Sequence, residues 1–264
     1  MKNIHESPDW ANGLAWKERI LFLNDACIVI NKLSGESSES ICPPGESRLA
    51  EKFLLPVHRL DMPVTGCLLL ARNSKAAALL SAAFANQDGR VEKLYWAIIE
   101  KPPLDCVLPP SGELVHWLKE NRKTNKSFAY EVGDDNKIGD DYEVGDDNEV
   151  GEAFPKGQRL QPKKAILRYR LTGEGEHYLF MEIDLVTGRH HQIRSQLAAI
   201  GLHIKGDLKY GSRRSEKAGG IRLHAHSLAF PNPLAPEETI RVKAPPPVMD
   251  SLWTAFTDSL GHQP

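Results

Sequence analysis

Between Arg19 and Lys32 the chain reads RILFLNDACIVINK, two short apolar runs around Asn24-Asp25. Asn and Asp side chains accept hydrogen bonds from backbone amides just ahead of them, so the pattern predicts two strands joined by a tight turn. GCLLLAR (66–72) is apolar without alternation, as expected of a buried strand. The period then changes. In KAAALLSAAFANQ, Leu80, Ala83 and Phe84 share one helical face, Ser74 is the candidate N-cap, and QDGR ends the helix. EKLYWAIIE (92–100) returns to a strand. KKAILRYRLTG and HYLFMEIDLVTG lie on either side of GEGE (173–176) and predict a hairpin. HQIRSQLAAIG (191–201) reads as a helix with Ile193, Leu197 and Ile200 inward and Gly201 as its stop. The proline-rich APPPVMDSLWTAF should end in a short helix. Strands and helices in this order, with hairpins, predict an α+β fold: a mixed, largely antiparallel central sheet flanked by helices. No linker marks a second domain, so one domain is expected over 19–260 after an extension at 1–18.

Charge changes this picture locally. The formal net charge is −2, but Glu131–Glu152 alone holds ten acids and one lysine. The rest carries 32 basic and 25 acidic residues, a net of about +7, and its basic stretches KENRKTNK and KGQRLQPKKAILRYR flank the acidic one. A basic body attracts polyanions by releasing their counterions. Within the acidic stretch YEVGDDN occurs twice, at Tyr130 and Tyr142. Two copies are too few for a solenoid, and the spaced acids and terminal glutamate of an EF-hand are missing. The stretch reads as a flexible duplicated insertion at 131–152 that would compete weakly with a bound polyanion for the neighbouring lysines and arginines. No apolar run approaches the ~20 residues of a membrane span. The four cysteines lack C-x-x-C spacing, so neither a disulfide frame nor a zinc ribbon is suggested, and a cytoplasmic setting is expected.

Four stretches carry chemistry: HRLDMPVTGCLLLA (58–71), KLYWA (93–97), TGRHHQIRSQLAAIGLHIKGDLKYG (187–211) and LHAHSLAFPNP (223–233). In this order and spacing they resemble the RluA-type RNA pseudouridine synthases, and DACIVINKLSG is similar to that family's opening strand and loop. The resemblance runs from about Arg19 to Phe256, excepting the acidic insertion. It implies the pseudouridine synthase catalytic fold with a central cleft, and an isomerase that converts specific uridines of rRNA or tRNA to the C-glycoside. RNA is then the expected partner, with no membrane, and a monomer is expected.

By the same resemblance Asp61 is the essential carboxylate. Breaking an N-glycosidic bond and rejoining the base through carbon suits a carboxylate that attacks, or stabilises, an electron-poor centre. Nothing is oxidised and no group leaves for good, so no cofactor and no metal are expected. Burial disfavours a charged carboxylate and a guanidinium restores it, a role the family pattern gives to Arg194. Tyr95 matches the tyrosine that stacks on the target uracil and helps move a sugar proton. Arg59 matches the arginine that fills the space left by the flipped-out base, which cannot react while stacked. His58, Arg189, Gln192 and Ile193 complete the motif as candidate substrate contacts.

The chain departs from the pattern at Val64-Thr65, His190, Gln196, His203 and Leu33, none of them a group assigned to catalysis. The RNA-binding S4 module that precedes some family members is not expected here, since few residues come before the first predicted strand. Two other classes compete. A metal hydrolase could use the H-x-H of His224 and His226, but H-E-x-x-H is missing. A non-catalytic RNA-binding protein would not need Asp61, Tyr95 and Arg194 together, and it shows neither the RRM nor the KH signature.

Overall fold

The computed structural model describes residues 16–41, 54–86, 88–102, 108–131, 161–217 and 219–261. The N-terminal extension before Trp16, the acidic repeat beyond Glu131, and Cys42 and Cys106 lie outside them. After a 3-10 turn at Trp16–Arg19 come β1 (Ile20–Leu23), β2 (Cys27–Lys32), β3 (Leu55–Pro56), β4 (Thr65–Ala71), α1 (Ser74–Asn86), β5 (Glu92–Glu100), β6 (Ser111–Asn121) and β7 (Lys126–Glu131). They are followed by β8 (Lys163–Glu174), β9 (Tyr178–Leu185), α2 (Gln192–Ala199), β10 (His203–Ile204), a 3-10 turn at Leu208–Tyr210, β11 (Leu223–Asn232), β12 (Ala235–Lys243) and α3 (Ser251–Gly261).

The strands form one sheet in the order β1-β2-β4-β11-β5-β9-β8-β6-β7, with β3 on β4, β12 on β11 and β10 on β5. Among these pairs only β4–β11 is parallel, with His224 opposite Thr65 and Ala225 opposite Gly66. At that seam Gly66 has φ +114°, and a Cβ would run into the Ala225 carbonyl. Only glycine suits this crossing. Side chains alternate between the two faces. Ile28, Ile30, Leu68, Leu70, Ala97 and Ile99 line one face with Ile193 and Leu197 of α2. Val29, Leu69 and Leu228 on the other face cover Leu80 of α1, while Trp96 and Ile98 meet Trp253 and Phe256 of α3. Among the described helices, α2 packs on the face where the site forms and α1 and α3 on the other.

Local expectations hold in most places. Asn24 Oδ1 accepts from the amides of Ala26 and Cys27, closing the β1–β2 turn. Gly201 ends α2 with φ +75°. The cap of α1 is Asn73 rather than Ser74: its Oδ1 accepts from the Ala76 amide at 2.8 Å. Ile200 sits at the end of α2, half-buried against the core rather than within it.

Beside α2, the segment leading into β11 is fastened by charge. Glu216 accepts from Lys205 Nζ and, at 2.8 Å, from Arg222 Nε, while Arg222 also grips Asp250. Asp250 in turn caps α3 through the Trp253 amide at 3.1 Å. Burial pushes the Glu216 carboxyl up, but the bonds from Arg222 and Lys205 outweigh it and hold the group down at about 2. A carboxyl whose folded value lies below its ordinary one stabilises the fold above about 4.5, and that contribution is lost as pH falls toward 2. Glu216→Gln is expected to remove on the order of 2–3 kcal/mol at neutral pH and to flatten the acid decline, read as urea midpoints between pH 7 and 2.5.

Candidate active site

The loop between β3 and β4 carries Asp61 across the sheet face on which α2 lies. Val64 N donates to Asp61 O at 3.0 Å, a tight turn that hands the chain straight into β4. Lys32, at the end of β2, holds this turn from beneath. It is fully buried, and its Nζ reaches the carbonyls of Val64 at 2.8 Å, Leu33 at 3.0 Å, Met62 at 3.1 Å and Asp61 at 3.2 Å. An ammonium has three donors, so four carbonyls share them and fix the peptide planes that follow Asp61. Burial lowers the Lys32 ammonium to about 8, a fall that the charges of Glu36 and Asp61 limit. Ser38 Oγ clasps Leu60 at both its amide and its carbonyl, 3.0 and 2.8 Å.

The carboxylate itself remains accessible, with its side chain 24% exposed. Arg194 Nη1, from the first turn of α2, donates to Asp61 Oδ2 at 3.1 Å. Arg194 is only 5% exposed, and its other edge is held by Asp207: Nε to Oδ2 at 2.6 Å and Nη2 to Oδ1 at 2.7 Å. Burial works against the Arg194 cation, but its bonds to Asp207, then the charges of Asp207 and Asp61, raise its affinity for the proton overall. The guanidinium plane also lies over Tyr210, 4.8 Å from the ring centre. A fork gripped bidentately on one edge offers its remaining nitrogen in a fixed direction.

His191 lies between these groups. It takes a left-handed φ of 50°, uncommon for a residue with a side chain, at the mouth of α2. Its Nδ1 is 2.9 Å from the Tyr210 hydroxyl, and its Nε2 is 3.6 Å from Asp61 Oδ2. Burial, then Arg194, push the imidazole down to about 2, so it is neutral at any physiological pH. The Tyr210 hydroxyl has one proton, for which His191 Nδ1 at 2.9 Å and the Ser127 carbonyl at 3.2 Å are both acceptors within reach.

Tyr95 projects from the middle of β5 into the same face, paired with Ala225 and Ile183 on its neighbouring strands. Burial first, and the nearby charge of Asp61 second, raise its hydroxyl above the ordinary tyrosine range, so it stays protonated. Arg59 is 72% exposed and, among the described residues, pairs with a similarly exposed Glu39 at 2.8 Å, a contact weak enough for a polyanion to replace.

The structure thus brings Asp61, Arg194 and Tyr95 to one place. The remaining expected contacts fall elsewhere. Gln192 is 2% exposed and spends its amide within the chain: Oε1 accepts from Thr187 Oγ1 and Arg189 N, and Nε2 donates to Ile166 O. Ile193 is core, at 4% exposure. His58 accepts from the Leu69 amide at 3.1 Å and stacks on Phe84 of α1, and burial takes it down to about 3. In the structure these three bond within the chain or pack in the core. Arg189 is half-buried, with Nε on the Lys164 carbonyl. The H-x-H pair is also engaged: His224 between Thr65 Oγ1 and the Ala244 carbonyl, His226 on that same carbonyl and stacked on Trp96. Asp207, His191, Tyr210 and Lys32 are the residues to which sequence reasoning gave no part in holding the site. All four stood inside quoted stretches, Lys32 in DACIVINKLSG and His191, Asp207 and Tyr210 in TGRHHQIRSQLAAIGLHIKGDLKYG.

Comparison with known proteins fits this geometry. The family model described as RNA pseudouridylate synthase matches residues 28–199. An uncharacterized RNA pseudouridine synthase of Zymomonas mobilis is 30% identical over 91% of this chain and 96% of its own length. The tRNA pseudouridine synthase C of Haemophilus ducreyi is 27% identical, over 92% and 95%. The dual-specificity RNA pseudouridine synthase RluA of Pasteurella multocida is 27% identical, over 86% and 92%. The structure of human RNA pseudouridylate synthase domain containing 4 superposes with a TM-score of 0.64 over 93% of this chain and 94% of its own, at 20% identity, which speaks to a shared fold. The protein is an RNA-modifying isomerase, one that acts on uridine. It belongs to the RNA pseudouridylate synthase family, and within it to the RluA type.

Proposed function

We propose that Asp61 carries the isomerisation and that the substrate is a structured tRNA or rRNA whose target uridine is flipped into the site. The observation that carries this reading is the Asp61–Arg194 pair: an accessible carboxylate 3.1 Å from a guanidinium that is itself buried and fixed by a second aspartate. Such an anion needs no reorganisation when positive charge develops at a sugar or base carbon. A glycosidase that admits water places a second carboxylate to activate it. Here Asp207 is 1% exposed and wholly committed to Arg194, so the detached base, rather than water, remains the partner for rejoining. Neutral His191 sits 3.6 Å from Asp61 without adding charge, and buried Tyr95 beside it stays a protonated phenol. Arg59 is free to enter the stack vacated by the uridine.

For the RNA class, the support comes from the printed names of relatives that act on tRNA or on more than one RNA. The test is a map of pseudouridines in tRNA and rRNA from cells with and without the gene. One or a few sites should vanish and return when purified protein is added to that RNA. Identical maps, with no conversion by the purified protein, would reject the reading.

A further inference from the structure

The β6–β7 hairpin turns through Asn121-Arg-Lys-Thr-Asn-Lys126, with residues 122–125 exposed. Asn121 Oδ1 shapes the turn by accepting from the Lys123 and Thr124 amides at 3.0 and 3.2 Å. Among the described residues no carboxylate pairs with Arg122 or Lys123, whereas most exposed arginines around the sheet have an acidic neighbour. A polar hairpin tip would ordinarily be one of the loosest parts of a fold. This one is fastened at four points. Lys209 Nζ donates to the Asn125 carbonyl at 2.9 Å, and the Tyr210 hydroxyl accepts from the Ser127 amide at 2.8 Å. His190 spends both ring nitrogens on the hairpin: Nδ1 meets Ser127 Oγ at 2.8 Å and Nε2 meets Asn125 Oδ1 at 3.1 Å. Asn125 holds a left-handed φ of 51° while presenting that oxygen.

The anchors are not scattered. His190 stacks on His191 with ring centres 3.9 Å apart, and Tyr210 bonds His191 and underlies Arg194. The same two segments, 190–194 and 207–210, therefore hold the catalytic pair on one side and the basic hairpin on the other.

We propose that this hairpin tip is a preset RNA-docking arm, with Arg122 and Lys123 gripping backbone phosphates near the target uridine and His190 as the positioning residue that fixes the arm's distance from Asp61. Phosphate contacts set register rather than read sequence, so their value depends on where they are held. An untethered arm would have to be ordered as RNA binds, and affinity would fall by that cost. The inference rests on the reading of Asp61 as an RNA-directed centre.

The probe is total RNA from cells lacking the gene. Arg122→Ala/Lys123→Ala is expected to weaken RNA binding about tenfold at low salt and to make log affinity against log salt shallower by about 1–2. The activity loss should fall on KM far more than on kcat. His190→Ala should raise KM several-fold, His190→Gln, which retains a donor amide, should recover part of that, and His190→Ala should add little on top of the double variant. A merely structural brace would instead lower the melting temperature, leave the salt slope alone, and add independently. Unchanged salt slope and KM in the double variant, or full additivity with His190→Ala, overturns the proposal. Should His190→Ala fail to fold, the exposed Arg122/Lys123 pair and its salt slope decide. Asp61→Asn measured in parallel separates the two ideas: silent arm variants beside an inactive Asp61→Asn reject only the arm, while an active Asp61→Asn rejects the reading of the site.

Discussion

Asp61→Asn is expected to abolish conversion of uridine to pseudouridine, by at least about four orders of magnitude, while RNA affinity stays within about threefold. The substitution keeps the side chain's shape and replaces its charge. Arg194 retains both bonds to Asp207, and the amide oxygen of asparagine can still accept from Nη1, so the loop and α2 stay joined. Lys32 holds the turn through backbone carbonyls, which the substitution leaves in place. Stability should therefore move by no more than about 1 kcal/mol. What disappears is the anion that must attack or stabilise the reacting centre. Three measurements on one preparation give the answer: thermal melting, RNA retention on a filter, and nucleoside composition of the treated RNA by mass spectrometry. Conversion at the wild-type rate would move the chemistry to another group.

The sequence shows most clearly what short-range physics decides. The β1–β2 turn was readable because Asn24 satisfies two amides within three residues. The start of α1 was misplaced by one position because Asn73 and Ser74 are both good caps, and only the direction of the Asn73 side chain separates them. β6 and β7 are hidden in the sequence because Lys119, Glu120, Arg122, Lys123 and Lys126 give the pattern of a charged stretch. Yet His116, Leu118 and Ser127 are buried by neighbours far along the chain. β12 shows the same limit: APEETIRVK has one buried residue, Val242, and owes its strand to pairing with β11. In the site, Asp61, Tyr95 and Arg194 were legible through motif order. Gln192 and His58 sit in the same motifs yet serve the backbone, because a glutamine or imidazole can bond either a substrate or an amide and sequence does not distinguish the two. The coupling of Lys32, His191 and Tyr210 to the carboxylate depends on loops that meet only after folding.

Asp207 is the clearest case of such long-range coupling, and its loss should cost most in stability. Asp207→Ala leaves Arg194, 5% exposed, with a single carboxylate, itself 24% exposed, for its charge. Breaking a buried pair by removing one partner typically costs 3–5 kcal/mol, because the remaining ion cannot regain water. The catalytic consequence is separate. Without the bidentate grip the guanidinium is free to turn both edges toward Asp61, which draws charge from the carboxylate and displaces it from its fixed direction. Activity of the folded fraction should fall at least about a hundredfold. Asp207→Asn keeps the oxygen that faces Nε and should fall between alanine and wild type in both respects. Adding Arg194→Met to Asp207→Ala removes the stranded ion, so the double variant should melt higher than Asp207→Ala alone while remaining inactive. That reversal distinguishes an uncompensated charge from a simple loss of packing, which would make the double variant worse. If Asp207→Ala melted and turned over like the wild type, Arg194 would not depend on Asp207 for its orientation, and Asp61 would need some other source for its fixed direction.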